Sequence, residues 1–555
     1  MMFGLARGWP RKPMLRSFRD GAWHSISWGQ FGRLAASVAR NLRGAGVMAG
    51  DRVLICAENR PEYLIAETAL MAIRAVPVPA YTTNTVDDQA HLLRDSGART
   101  VIVSSQSLAQ RLVEAAAKVG GLDLLVTMDA DVANGATRIV RWQALTGDDM
   151  PPDDIAAEAL LIPPTALACL IYTSGTGGAP RGVMLPHRCM LSNCAGAFEL
   201  VRPLRMKDEI YLSYLPIAHA YEHTVGQFFL PSLGTEIVYS RGVEHLAADL
   251  QAVHPTILTA VPRVLEVIRA RIFGQVAREK PWRQQLFHAA IAIGLKRVDA
   301  LPLTWPERVM DPVLEQLVRT KVMARFGSRL RAAMSGGARL EPEVGRFFLA
   351  LGLKIMQGYG QTEAGPVISA NPPDAIRIDT VGKPLRGVEL QLADDGEILV
   401  RGDLVMDGYW NRPEDTKAVL QDGWLHTGDI GELDRGYLRI TDRKKDMIVL
   451  SGGENVSPAK IEGMLMAETE IAQAVVAGDG RSGLSALVVP ADGYDDVAVA
   501  LAVNRTNLRL SVTERIRKHA VVPPFTIENG LLTPSQKIRR ILVLRANAHI
   551  LARLH

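Results

Sequence analysis

Between Ser27 and Ser104 the apolar pattern switches period several times, and this alternation limits the folds open to the chain more than any other feature. From Ser27 onward, Phe31, Leu34, Ala35, Val38 and Leu42 fall on one helical face, with Ser27 placed to cap the start and Gly44 and Gly46 to stop the end. Val53 to Cys56 reads as a short buried strand, and Pro61 opens a second helix that runs through Ile73. "VPVPA" leads into a third helical stretch ending at "DSGA", after which "TVIVS" is another strand. A βαβα order of this kind builds a mostly parallel sheet with helices on its faces. Ligands of such sheets bind beyond the carboxyl ends of the strands, so a polar loop directly after an apolar run is the place to look for chemistry.

At 555 residues the chain exceeds a single core and must divide into at least two domains. A net charge of +4 is too slight to argue for nucleic acid as a partner. Cys56, Cys169, Cys189 and Cys194 show no metal-ligand spacing, which fits buried thiols in a reducing compartment. The opening "MMFGLARGWPRKPML" has no apolar core of the signal-peptide kind, and no apolar run reaches the ~18 residues of a membrane span. The expected location is the cytoplasm, with peripheral contact at the inner face of the membrane left open.

One loop meets the positional requirement. "LIYTSGTGGAPRGVM" (170–184) follows the apolar run Leu167–Ile171. Thr173, Ser174 and Thr176 offer hydroxyls. Gly175, Gly177, Gly178 and Gly182 let backbone N–H groups come close to an anion, and Arg181 adds a fixed cation. The sum is a phosphate cradle, although it matches neither the Walker A pattern nor the Rossmann fingerprint.

This loop resembles the signature of the adenylate-forming superfamily, with Gly177 where that family has a second Thr and Arg181 where it has Lys. Further motifs follow in the family's order. "SGGARL" (335–340) resembles the loop lining the adenine and acyl pockets, which assigns Gly337 and Ala338 to the nucleotide and puts Arg339 where proline is usual. "GYGQTEAG" (358–365) resembles the segment whose aromatic, here Tyr359, lies along adenine beside Gly360. There Thr362 touches phosphate and Glu363 binds Mg²⁺, a cation that prefers hard oxygen ligands. The resemblance also gives Thr176 a catalytic and metal-binding part. Asp429 would hold the ribose hydroxyls and Arg443 the ribose or phosphate. "SGGENVSPAKIE" (451–462), with Gly452 and Gly453, resembles the loop lining the pantetheine channel. "LLTPSQKIRR" carries Lys537 at the place of the adenylation lysine, and "LPIAHAYEH" places His219 beside the acyl carboxylate and the path of the thiol.

The resemblance implies an α/β fold: a large N-terminal region of mostly parallel sheets flanked by helices (1–441) and a small, mobile α+β C-terminal domain (442–555). The hinge is expected near 442–446, at Lys445. It implies an ATP-dependent ligase using Mg²⁺ and coenzyme A, which turns a long-chain fatty acid into an acyl-adenylate and then a thioester, releasing pyrophosphate and AMP. The oligomeric state stays open. Rival readings are a ligase for another acid or for an acyl-carrier-protein thiol, and an inactive homologue that binds nucleotide or acyl chain. His219, Glu222 and His223 also fit the H-x-x-E-H spacing of a zinc peptidase. Asn455 and Asn504 sit in glycosylation sequons that a cytoplasmic protein would leave unmodified. Between Val261 and Arg331 bases outnumber acids, with Ile268, Ile272, Phe273, Trp282 and Phe287 interleaved. That pattern fits a basic amphipathic face toward anionic lipid, or a solvated face over a buried one.

Overall fold

A computed structural model describes residues 1–129, 137–147, 150–173, 179–452, 454–533 and 537–554. The chain forms two compact units. One contains Met1–Thr173, Arg181–Glu389 and Val400–Gly423; the other contains Leu390–Leu399 and Trp424–His555.

Two largely parallel sheets dominate the first unit. In one, Val76–Pro79, Arg52–Cys56, Thr100–Val103, Leu124–Thr127 and Arg138–Arg141 lie side by side, all parallel. The helix Trp28–Gly44 starts as its sequence requires: Ser27 Oγ accepts from the Gln30 N–H (3.3 Å) and Gln30 Oε1 accepts from the Ser27 N–H (2.8 Å). Its Phe31, Ala35, Val38 and Leu42 are buried. "VPVPA" is itself a strand, and its two prolines explain its place at the edge of the sheet, where a missing N–H costs no ladder bond.

The other sheet has nine strands among the described residues. Its middle runs Lys354–Gly360, Ala332–Ser335, Ile257–Ala260, Ile210–Ser213, Glu236–Tyr239 and Pro13–Arg19, all parallel, with antiparallel strands only toward the edges. The helices Pro262–Val276 and Pro281–Val298 pack on this unit's core. Ile272 and Phe287 are buried, and Phe273 stands 5.6 Å from the Phe287 ring and 5.3 Å from the Phe347 ring, centroid to centroid. Most of the apolar residues interleaved with bases in this stretch therefore face inward, and Trp282 is the exposed exception.

The second unit is α+β. Trp424–Asp434 and Tyr437–Arg443 form an antiparallel hairpin. Beyond it, Leu484–Pro490 pairs antiparallel with Ile471–Ala477 and parallel with Ile516–Val521. Helices Pro458–Met466 and Asp496–Asn507 cover the sheet, burying Ile461, Leu465, Val499 and Val503 against it. All four cysteines are free and buried; burial pushes the Cys56, Cys189 and Cys194 thiols up to about 12, which leaves them unreactive. Among the described residues no helix is long and apolar enough to cross a membrane.

Candidate functional site

In the nine-stranded sheet, three expected segments leave the carboxyl ends of parallel strands. Gly337 and Ala338 follow Ala332–Ser335, Tyr359 and Gly360 end the neighbouring Lys354–Gly360, and His219 lies in the segment after Ile210–Ser213. The Tyr221 hydroxyl ties two of these together by donating to the Met334 carbonyl (2.9 Å), and its ring packs beneath Gly336. Gly360 admits no side chain, since a Cβ there would lie 1.8 Å from the Pro366 carbonyl oxygen. Gly337 and Ala338 are exposed and Tyr359 and His219 half-buried, so this rim is open to a ligand. The Tyr221 N–H donates to His219 Nδ1 (3.2 Å), which orients that ring.

A second cluster forms around the phosphate loop. Thr173 and Arg181 are register partners at the end of the hairpin Leu167–Thr173/Arg181–Pro186. Ser174, Gly175, Thr176, Gly177 and Gly178 lie outside the described residues, as does Gly453. Strand Gly408–Tyr409 joins this hairpin, pairing Tyr409 with Val183. The Arg181 guanidinium sits 4.2 Å over the Tyr409 ring and 3.9 Å from Asp415 Oδ2. The Tyr409 hydroxyl donates to Glu363 Oε1 at 2.8 Å. Burial, and after it the adjacent Glu363 carboxylate, push the Tyr409 phenol above its ordinary pKa, so it remains a donor. The Glu363 turn, Thr362–Ala364, is held from the neighbouring helix by buried Asn193: its side-chain amide donates to the Ala364 carbonyl (3.3 Å) and accepts from the Val367 N–H (2.8 Å). One tyrosine thus links the loop's cation to the carboxylate expected to hold Mg²⁺. A half-buried carboxylate with one oxygen fixed by a neutral donor suits a hard divalent cation. Sequence reading missed Tyr409 and Asn193.

The zinc reading of "HAYEH" does not survive the structure. Glu222 opens a π-helical turn, Glu222–Phe229, and is fully buried. It accepts from the hydroxyls of Tyr211, Ser213 (2.7 Å) and Thr259 (3.2 Å) and from the Gln227 amide (2.9 Å). His223 Nε2 lies 2.7 Å from Glu67 Oε1, both residues being fully buried. Among the described residues no group of three or more His, Cys, Asp or Glu could hold a metal. Glu222 ties the π-turn to the sheet, and His223 ties it to the helix Pro61–Ala72.

Burial raises the Glu222 carboxyl from 4.5 to about 7, with its four hydrogen bonds opposing. A folded-state pKa above the unfolded value means stability that is complete below about 4.5 and lost as pH rises through about 7. Glu222→Gln should remove this slope. Its stability relative to the native protein should rise by on the order of 3 kcal/mol between pH 4.5 and 7, read from thermal unfolding across that range. An identical pH profile in both proteins would contradict it.

The second unit carries the remaining residues. Asp429 and Arg443 are cross-strand partners in the hairpin, and Arg443 Nε donates to the buried Asp429 Oδ1 at 2.8 Å. Just beyond, Lys444 Nζ pairs with Asp395 (2.6 Å) and Glu397 (3.0 Å), while Lys445 is exposed. Gly452 is exposed in the turn between Ile448–Val449 and Asn455–Val456. Lys537 is exposed too, but its backbone is fixed: its N–H donates to Thr533 Oγ1 (3.0 Å) and its carbonyl accepts from the Thr533 N–H (2.8 Å).

The family model described as AMP-binding enzyme matches residues 5–410, and the model of the AMP-binding enzyme C-terminal domain matches 445–551. The chain is 32% identical over 572 residues to the long-chain-fatty-acid–CoA ligase FadD15 of Mycobacterium bovis, covering 98% of this chain and 94% of that one. It is 28% identical to the chloroplastic long-chain-fatty-acid–[acyl-carrier-protein] ligase AEE15 of Arabidopsis thaliana, over 91% of this chain and 79% of the other. Among solved structures, an anthranilate CoA ligase, AuaEII, in complex with anthranoyl-AMP shares the fold with a TM-score of 0.77 at 21% identity, covering 100% of this chain and 98% of that one.

Proposed function

The chain belongs to the AMP-binding enzyme family, and from that premise we propose that it is an ATP-dependent ligase joining a long-chain fatty acid to coenzyme A through an acyl-adenylate. The observation that carries the choice of acid and thiol is the 32% identity, across nearly the whole of both chains, to a long-chain-fatty-acid–CoA ligase.

A carboxylate resists a thiol because resonance and negative charge oppose attack. Transfer of AMP supplies a good leaving group. In the first half-reaction the acid's oxygen attacks the α-phosphorus of ATP and pyrophosphate departs; in the second the thiol attacks the acyl carbonyl and AMP departs. The protein's part is to position the groups and neutralise growing charge. Tyr359, Gly360, Gly337 and Ala338 form the rim for adenine, and Asp429, oriented by Arg443, accepts from the ribose hydroxyls. Thr173, Ser174, Gly175, Thr176, Gly177, Gly178 and Arg181 bind the phosphates with Thr362. Glu363, with Thr176, would hold Mg²⁺, which screens charge on the departing pyrophosphate when bound. Lys537 serves the first half-reaction, and His219, Gly452 and Gly453 line the approach of acid and thiol. We place the working division at 441/442, with the C-terminal domain turning about 442–446 between the two steps.

The test is thioester formation with long-chain, acetic and benzoic acids, each offered coenzyme A or an acyl-carrier protein. Long-chain acid with coenzyme A should be preferred over every other pair. Comparable turnover with acetate would overturn the assignment of the acid; preference for the carrier protein, as the resemblance to AEE15 would favour, would overturn that of the thiol.

A further inference from the structure

Lys537 stands three residues before Arg540, the first residue of the helix Arg540–Ala546, and Arg540 is fastened from two sides. Its Nη2 donates to Glu462 Oε1 and its Nη1 to the Val476 carbonyl (2.8 Å). Glu462, from the helix Pro458–Met466, accepts at the same Oε1 from the Val476 N–H (2.6 Å), so the three residues close a ring. Val476 lies in Ile471–Ala477, the edge strand of its three-stranded sheet, where outward N–H and C=O groups meet no further strand. Glu462 and Arg540 take the place of that strand with side chains. Both are largely covered, at 13% and 18% exposed, and a charged double donation of this kind fixes direction as well as distance.

Between this ring and the lysine the chain has little freedom. Leu532 and Ile538 form an antiparallel bridge, the Arg539 N–H donates to the Leu531 carbonyl (2.9 Å), and Thr533 holds Lys537 at both backbone groups. Leu532 and Ile538 pack against the core formed by Val475, Leu487 and Val543. Apolar packing is non-directional, so it keeps these residues on the sheet without fixing their tilt. Arg540, no more than roughly 10 Å of chain from Lys537, supplies the direction. An ammonium that must meet charge growing on a phosphorus tolerates little displacement, since about 1 Å can cost about a hundredfold in rate.

We propose that Arg540, held by Glu462 and Val476, is a positioning residue that sets where Lys537 presents its ammonium for adenylation. The inference rests on the reading of Lys537 as the adenylation lysine and adds the groups through which that lysine is aimed. Two assays on the full chain test it: acid-dependent exchange of labelled pyrophosphate into ATP, and coenzyme A attack on supplied acyl-adenylate. Arg540→Gln combined with Glu462→Gln removes both charges, so neither is left covered without its counter-ion. This pair should slow exchange by at least about tenfold and change the second reaction by less than about twofold. Arg540→Lys, which keeps the charge but not the double donation, should fall between the pair and the native protein. In a Lys537→Ala background the pair should slow exchange no further, because the group it positions is gone. A merely structural role would lower both reactions alike, or lower exchange again in that background, and either result would overturn the proposal. So would exchange at the native rate in the folded pair variant. Thermal unfolding checks the fold, and if the pair variant does not fold, Arg540→Lys carries the same comparisons. Native exchange in Lys537→Ala alone would remove the lysine from the reaction, and this proposal with it.

Discussion

Replacing Lys537 by alanine should slow formation of acyl-adenylate from acid and ATP by on the order of 10²–10³, while leaving coenzyme A attack on supplied acyl-adenylate nearly unchanged. The asymmetry follows from where charge grows. In the first half-reaction negative charge builds on the oxygens of the α-phosphorus as it becomes five-coordinate, and an ammonium held there offsets it by about 3–4 kcal/mol. In the second, charge builds on the acyl carbonyl, and in the mechanism we propose the lysine's domain has turned away. The Lys537 backbone is locked to Thr533 in both directions, so truncating its exposed side chain leaves the local fold intact. Equal losses in both half-reactions, or none in either, would reduce Lys537 to one more surface base beside Arg539.

Glu363→Gln carries the second large effect. The amide keeps an oxygen for the Tyr409 hydroxyl and nearly the same volume, but removes the charge. The magnesium needed for half-maximal adenylation should rise at least about tenfold, and the rate at saturating magnesium should fall by roughly a hundredfold, or about 3 kcal/mol. Tyr409→Phe, which leaves the carboxylate charged but unheld, should cost less, about tenfold, in line with one hydrogen bond to a charged group. An unchanged magnesium dependence in the glutamine variant would remove Glu363 from the metal.

These two residues also show what was legible in the sequence. Local signals could be read: the cap at Ser27, the strand at Val53–Cys56 and the helix opening at Pro61 all depend on side chains within one turn of their own backbone. "VPVPA" was harder, because two prolines disguise a strand that only an edge position allows. At the candidate site, Glu363 and Lys537 stand inside recognisable motifs, whereas Tyr409 lies 46 residues beyond its partner Glu363 and reaches it only because Gly408–Tyr409 pairs with Arg181–Pro186. Glu222 is the converse case. Its spacing to His219 and His223 suggested a metal site, but the donors that occupy it include Tyr211, Ser213 and Thr259 from two adjacent strands, a convergence no helical spacing reports.

Acid-dependent exchange of labelled pyrophosphate into ATP, measured without coenzyme A, tests the two-step chemistry most directly. The expected result is rapid exchange with a long-chain acid, none without acid, and release of AMP with thioester once coenzyme A is added. Exchange that appears only after coenzyme A is supplied, or release of ADP in place of AMP, would contradict it.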